Sequence, residues 1–138
     1  MIKYTIYTDG SCRGNGNGGI GVVWLRNDEK VYEYSRGFKN TTNNQMELIA
    51  IYVALRSIKR PLNSLEIISD SEYSIGVLTK SWKIKKNIEL IAKIKKQLAK
   101  TQKLVKEPII WTHVRGHSDN EWNNYCDKLA QNESNMII

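Results

Sequence analysis

Residues 31–54 read VYEYSRGFKNTTNNQMELIAIYVA, and the spacing of their apolar residues changes within the stretch. Residues 31–38 are rich in β-branched and aromatic side chains, which predicts a strand. Thr42 and Gln45 then have the Thr-x-x-Gln spacing of a capping box, and apolar residues follow at helical spacing from Met46 to Ala54. The chain therefore passes from strands to helices at this point.

Two more predicted strands precede this stretch. Residues 2–8 alternate between two faces, as in a half-buried strand, and this strand is expected to end at Asp9 and Gly10. A glycine-rich turn follows, and residues 20–25 form the second predicted strand. Three consecutive strands with short links predict an antiparallel meander.

Strands and helices alternate in the rest of the chain, and Pro61 is expected to end the first helix. The order βββαβααβα predicts one α/β domain, residues 1–138, with a mixed sheet and helices on its faces. The later predicted elements are a strand at 65–69, helices at 70–78 and 87–100, a strand at 108–114, and a last helix with Trp122, Tyr125, Cys126 and Leu129 on its apolar face.

Length and composition exclude several classes of protein. The chain has 138 residues, of which 41% are hydrophobic and 25% charged, a globular balance. It has no apolar run of roughly 18–20 residues and no secretory signal pattern, so we expect no membrane partner. Two cysteines, Cys12 and Cys126, are too few for a disulfide scaffold or a zinc cluster and fit a reducing cytoplasm.

The positive charge is concentrated in one segment. The net charge is +7, and residues 80–106 contain ten lysines but one acid, Glu89. A local basic face is typical of a protein that binds a polyanion, most often nucleic acid. A lysine-rich solvated helix explains the same charge equally well, so the charge alone does not decide the function.

Four acids occupy positions where a site can form. Asp9 and Asp70 lie at the carboxyl ends of predicted strands, Glu47 in the first turns of a helix, and Asp127 on the last helix. Clustered carboxylates need a cation such as Mg²⁺ or Mn²⁺, and beside a basic face they suit phosphodiester cleavage. Each acid alone also fits a turn, a helix cap or a solvated position, and His117 in its glycine loop is not distinctive.

Four segments together closely resemble type 1 ribonuclease H. They are TDGSCRGNGNGG (8–19), TTNNQMELIA (41–50), ISDSEY (68–73) and VRGHSDNEWNNYCDKLA (114–130), and the resemblance extends from residue 2 to about residue 131. It implies the ribonuclease H-like fold, a five-stranded mixed sheet of order 3-2-1-4-5 flanked by helices.

The resemblance also implies an activity, endonucleolytic hydrolysis of the RNA strand of an RNA–DNA hybrid. Asp9, Glu47, Asp70 and Asp127 match the family carboxylates, which implies a site for two Mg²⁺ ions, with Mn²⁺ as a substitute. Products would carry 5′-phosphate and 3′-hydroxyl ends. His117 matches a mobile histidine that relays a proton or assists product release.

Further matches concern the hybrid substrate. They place residues that sense 2′-hydroxyls in the turn after the first strand and at the start of the first helix, and residues that contact the DNA strand nearby. The RNA-side residues are Gly14, Asn15, Asn43, Asn44 and Gln45; Thr42 and Asn87 match a DNA-phosphate site, and Tyr73 and Trp82 would follow the DNA sugars.

Two departures from the family pattern predict weaker binding of the DNA strand. Asn40 stands where some relatives have an arginine. Residues 82–87 are several residues shorter than the well-known bacterial version, so we expect this chain to lack the protruding basic helix called the handle. Lys83, Lys85 and Lys86, here named the link lysines, would replace it in part, and hybrid binding should be sensitive to salt.

Two alternatives remain at this point. A nuclease of the same fold that acts on DNA is the nearest one, and the 2′-hydroxyl-sensing segment argues against it. A hybrid-binding module without catalysis is the other, and the four retained carboxylates argue against that. The expected protein is a cytoplasmic monomer whose partner is an RNA–DNA hybrid.

Overall fold

The computed structural model describes residues 2–115 and 119–137. Within them, five strands and four helices follow the predicted order βββαβααβα. They are β1 (Tyr4–Cys12), β2 (Gly18–Arg26), β3 (Glu29–Phe38), α1 (Asn43–Arg56), β4 (Leu65–Ser69), α2 (Glu72–Thr79), α3 (Ile88–Leu104), β5 (Ile110–His113) and α4 (Glu121–Met136).

The strands form one mixed sheet of order β3-β2-β1-β4-β5. The first three strands pair antiparallel as a meander, whereas β4 pairs parallel with both β1 and β5. Both the predicted mixed sheet and its order 3-2-1-4-5 are confirmed.

The extent and the burial of β1 differ from the prediction. The strand does not end at Asp9 and Gly10 but continues to Cys12, which pairs with Gly18 of β2. It is also not half-buried, because residues 5–9 are all buried. The reason is that α1 packs on one face of β1 and α4 packs on the other, so neither face meets water.

Several helices begin or end at other residues than predicted, and side-chain hydrogen bonds lie at two of these boundaries. Helix α1 ends at Arg56, well before Pro61, and the Ser57 hydroxyl donates to the Ala54 carbonyl while it accepts from the Trp24 indole. Helix α2 begins after Ser71, whose side chain accepts from the Ser74 amide. Helix α3 runs past the expected residue 100 to Leu104.

Two hydrophobic clusters hold the sheet between its helices. The larger lies between the sheet and helices α1, α2 and α3, and the smaller lies under α4. Contrary to the prediction, Tyr125 is exposed, and its hydroxyl donates to Glu33 at the edge of the sheet. The predicted Trp122 and Leu129 are partly buried against the smaller cluster, and the fully buried residues of α4 are small or polar: Asn123, Cys126, Ala130 and Ser134.

Glycines in β2 explain why α4 can pack closely on the sheet through small side chains. A Cβ on Gly19 would lie 2.2 Å from the Ala130 carbonyl oxygen, and one on Gly21 would lie 2.5 Å from that of Cys126. The Cys126 thiol donates to the Gly21 carbonyl at 3.0 Å. Helix α4 therefore rests directly on the backbone of β2. In the described ranges, no helix has the length and apolar character needed to cross a membrane.

Candidate active site

The end of the parallel β1–β4 pairing brings two acids together. The last paired residues are Thr8 and Ser69, so Asp9 and Asp70 are the next residue on each strand. Glu47, on the second turn of α1, joins them. One oxygen of each of these three carboxylates lies within 4.8 Å of the others, as the positions of the acids predicted.

Gly10 fixes the geometry of this carboxylate cluster. Its amide donates to Asp9 Oδ1 at 2.9 Å and also to Glu47 Oε1. A Cβ at Gly10 would lie 2.4 Å from the backbone of Met46 and Glu47. The Asp-Gly pair is therefore not a turn, and its glycine lets α1 approach β1 closely enough for Glu47 to reach Asp9.

Asp9 is buried, Glu47 and Asp70 are partly buried, and the cluster lacks compensating charge. Asp9 is 2% exposed, and Asp9 Oδ2 and Asp70 Oδ1 are buried without a hydrogen-bond partner. Burial, followed by repulsion from Asp70, raises the pKa of Asp9 to about 9. Burial and then Asp9 raise the pKa of Glu47 well above its usual range. In the part of the chain that the structure describes, no lysine or arginine forms an ion pair with the cluster.

Asp127 lies beside this cluster, although it is outside the group of three. The close docking of α4 on β2 carries Asp127 toward Asp9, and it contributes to the raised pKa of that carboxyl. Asp127 Oδ2 accepts from Gln131 Nε2 at 2.9 Å, one turn further along α4. All four predicted acids therefore meet at one end of the sheet.

The donor set fits a hard divalent cation. Carboxylate oxygens are the ligands that Mg²⁺ and Mn²⁺ prefer. Two oxygens buried without partners and two carboxyls with raised pKa values are the features that a bound cation would relieve. Asp9, Glu47 and Asp70 could hold a metal ion, and Asp127 lies close enough to Asp9 to be a further ligand.

Polar side chains at the start of α1, of α2 and of α3 are joined by hydrogen bonds. Gln45 Nε2 donates to Asn87 Oδ1, and Asn87 Nδ2 donates to the Tyr73 hydroxyl, both at 3.4 Å. Gln45 Oε1 also accepts from Thr41. The capping box is thus only half formed, because Thr42 accepts from the Gln45 amide while the Gln45 side chain turns toward Asn87.

The start of α1 exposes the remaining RNA-side candidates. Asn43 and Asn44 lie exposed in its first turn. The loop after β1, with Gly14 and Asn15, is tied to the same region, since the Thr41 amide donates to the Gly16 carbonyl at 3.0 Å. These candidates therefore share one region with Gln45.

The segment between α2 and α3 bears out the expectation of a short form. Residues 80–87 contain no helix, so this chain has no handle. Trp82 packs on Gly76 of α2, where a Cβ would lie 2.2 Å from its ring. The link lysines are exposed, and Lys85 and Lys86 line an open groove together with Gln45 and Asn87. Asn40 is exposed in a left-handed conformation with φ 55°.

One predicted site residue, His117, lies outside the described residues. Three residues that position the acids, Gly10, Gly21 and Cys126, are not among the predicted site residues. Gly21, inside the predicted strand 20–25, is the available signal, since glycine inside a strand often marks a close backbone approach.

Comparison with known proteins agrees with this arrangement. A family model described as RNase H matches residues 2–135. The chain is 43% identical over 142 residues to a ribonuclease H of Clostridium botulinum, with 94% of each chain covered. It is 43% identical over 145 residues to a ribonuclease H of Acetivibrio thermocellus, with 96% of this chain and 95% of the relative covered.

Solved structures share the fold. LC11-RNase H1, solved in complex with an RNA/DNA hybrid, is 25% identical with a TM-score of 0.76, and 96% of each chain is covered. RNase H1 of Halobacterium salinarum is 24% identical with a TM-score of 0.78 over 98% of this chain and 99% of that one, a likeness of fold. Since the family model spans nearly the whole chain and close relatives carry the same name, the chain belongs to the RNase H family of nucleases.

Proposed function

We propose that this protein cleaves the RNA strand of RNA–DNA hybrids endonucleolytically and leaves 5′-phosphate and 3′-hydroxyl ends. The observation that carries the proposal is the carboxylate cluster, in which two buried oxygens lack partners, beside exposed amides and lysines. Membership of the family supports it, and so does the related LC11-RNase H1, which was solved in complex with an RNA/DNA hybrid.

Asp9, Glu47, Asp70 and Asp127 would hold two Mg²⁺ ions, with Mn²⁺ as a substitute. When bound, such ions supply a lowered pKa for the attacking water and positive charge for the departing 3′ oxygen. The chain itself supplies position and surroundings. The Gly10 amide holds Asp9 and Glu47 in one geometry, and burial keeps bulk water away from Asp9.

Discrimination between RNA and DNA would come from the start of α1. Asn43, Asn44 and Gln45 carry amides, which can both donate to and accept from a 2′-hydroxyl. Gln45 is oriented for this by Asn87 and Thr41. Gly14 and Asn15 would approach the same strand from the loop after β1.

Other residues would hold the DNA strand. Thr42 and Asn87 would contact one DNA phosphate, Tyr73 and Trp82 would lie along the sugars, and the link lysines would neutralise backbone charge. Tyr73 and Asn87 are already joined by a hydrogen bond, which supports a shared role.

His117 would relay a proton during cleavage or assist release of the product. We further propose that the sheet and its helices act as one catalytic domain and as a monomer. A cytoplasmic location is supported by two free cysteines, of which Cys126 is buried.

The decisive experiment is a gel assay on four matched substrates: RNA–DNA hybrid, RNA duplex, DNA duplex and single-stranded RNA. We expect cleavage of the hybrid's RNA strand alone, with Mg²⁺ or Mn²⁺ and not with chelator. Cleavage of the DNA duplex but not of the hybrid would instead show that the protein is a nuclease that acts on DNA. Hybrid binding without cleavage under either metal would leave only a binding role.

Asp70→Asn should abolish cleavage while hybrid binding remains measurable. Asp28→Asn is the matched control, because Asp28 is an exposed carboxylate that pairs with Lys3 away from the cluster. Full activity in Asp70→Asn would contradict the role assigned to that residue.

A further inference from the structure

Helix α3 carries a row of lysines that the proposed site does not use. Its sequence IELIAKIKKQLAKTQKL contains five lysines and one acid, Glu89 in the first turn. The row, here named the lysine stripe, lies on the face opposite the buried Ile91 and Ile94. Its exposed members are Lys93, Lys96, Lys100 and Lys103.

The lysine stripe begins near the substrate-binding candidates and leads away from them. Asn87, which precedes α3, contacts Gln45 in the first turn of α1, and Thr101 Oγ1 donates to the Leu55 carbonyl at 2.9 Å near the end of α1. The two helices therefore run side by side in the same direction. Each has a single acid, Glu47 or Glu89, and both acids lie near the N-terminal end.

Helix α1 extends the positive surface through Tyr52 and Arg56. The Arg56 guanidinium lies 5.5 Å from the centre of the Tyr52 ring, and the Lys93 ammonium lies 5.1 Å from it. Two cations beside one ring repel each other. In the described ranges, neither Arg56 nor Lys93 forms an ion pair with a carboxylate. A bound anion would therefore offset the repulsion between these two cations.

The spacing within the stripe also costs helix stability. Lys96 and Lys100 are four residues apart, and Lys93 and Lys96 are three apart, so like charges are neighbours on the helix surface. Acids at intermediate positions would offset this repulsion, but the helix has none after its first turn. A bound polyanion offsets it equally well.

We propose that the lysine stripe, with Arg56, binds the phosphate backbone of nucleic acid flanking the cleaved segment. The stripe runs from Lys93 to Lys103, ten residue steps or about 15 Å at 1.5 Å per residue. Along the axis of a duplex one strand rises by about 3.4 Å per nucleotide, so the length of the stripe matches an axial rise of about four nucleotide steps. The identity of the flanking nucleic acid rests on the proposed function, whereas the contact itself is independent of sequence and sugar.

The test compares two variants that lose the same charge. The stripe variant is Lys96→Gln, Lys100→Gln and Lys103→Gln. The control variant is Lys3→Gln, Lys95→Gln and Lys106→Gln, in which Lys95 lies on α3 but off the stripe and all three residues are exposed. Glutamine has nearly the helix propensity of lysine, and circular dichroism checks the fold. Lys100→Glu provides a second, single-site variant.

Binding of 36-base-pair RNA–DNA hybrid and DNA duplex is measured by fluorescence anisotropy in EDTA over a salt series. We expect the stripe variant to lose about tenfold to a hundredfold in affinity for both duplexes, and its salt slope to fall by about 2 to 3. The control variant should lose less than about threefold. With Mg²⁺, the stripe variant should have a raised KM on the hybrid and an unchanged kcat.

Equal losses in both variants would show an effect of net charge alone and would overturn the proposal. Unchanged nucleic-acid binding in the stripe variant would also overturn the proposal. If that variant instead lost binding to phosphatidylserine vesicles, the stripe would be a membrane-binding surface and the proposal would be wrong. Failure of the proposed function is separate: a wild-type protein that cleaves no hybrid but binds DNA duplex through the stripe leaves this inference intact.

Discussion

The substitution Asp9→Asn should stabilise the metal-free protein while it abolishes cleavage. Asn keeps an oxygen that accepts from the Gly10 amide, and its Nδ2 can donate to the neighbouring carboxylates. The substitution therefore removes a buried negative charge without removing the hydrogen bond at 2.9 Å. It also replaces an oxygen that has no hydrogen-bond partner with a donor.

The magnitude follows from the pKa of Asp9, which rises from 3.8 to about 9 on folding. A carboxyl with a raised pKa destabilises the folded state increasingly as pH rises from its unfolded pKa to its folded one. At pH 7 the full cost is about 4 kcal/mol, at 1.36 kcal/mol per pKa unit. Relaxation and water entry reduce such costs, so we expect a gain of about 1–3 kcal/mol.

The assay is thermal unfolding in EDTA at pH 7 and pH 4, followed by circular dichroism. The melting temperature of Asp9→Asn should exceed that of the wild type by about 4–12 °C at pH 7. Near pH 4 the difference should nearly vanish, because the unfolded carboxyl is then about half protonated. The exposed control Asp28→Asn should stay within about 0.5 kcal/mol of the wild type. A neutral or destabilising effect at pH 7, or a gain that persists at pH 4, would refute the reasoning.

Three further outcomes are expected. Gly21→Ala places a Cβ 2.5 Å from the Cys126 carbonyl oxygen, so α4 must shift and kcat should fall about tenfold or more. In Gly37→Ala the Cβ meets the flexible end of Ile137 first and lies 3.1 Å from the Glu133 carbonyl oxygen, so kcat should change much less. Saturating Mg²⁺, at 100 times its Kd, should raise wild-type stability by about 2.7 kcal/mol in calorimetry, and much less in Asp9→Asn. Changing the link lysines together to glutamine should raise KM and flatten its salt dependence; a large kcat loss with an unchanged salt slope would contradict their binding role.

Local signals predicted the elements well because they act within a turn or two of chain. The Thr42 cap and the helical spacing of α1 depend on nearby residues and agree with the structure, and the strands form in the predicted order although β1 is not half-buried. Helix ends were less accurate. Ser57 ends α1 through the Trp24 indole, a partner 33 residues away that no local pattern shows.

Part of the candidate site could likewise be predicted from local sequence, and part depends on tertiary contacts. The types of the four acids, and the positions of Asp9 and Asp70 after neighbouring strands, were sufficient to predict that carboxylates meet. From the sequence, the Asp9-Gly10 pair fits either a strand end or a turn, whereas in the structure Gly10 allows the close approach of α1. Its role appears only when Met46 and Glu47 lie against it.

The sequence by itself determined the order of strands and helices, the chemistry of the acids and the basic character of α3, because these follow from residue type and short-range spacing. Tertiary structure alone decided the burial of both faces of β1 and the placement of Asp127. Both depend on α4, which returns across the sheet about a hundred residues after β2 and rests on the backbone at Gly19 and Gly21. Close packing of this kind arises from the fit of distant surfaces, and no pattern within either segment specifies it.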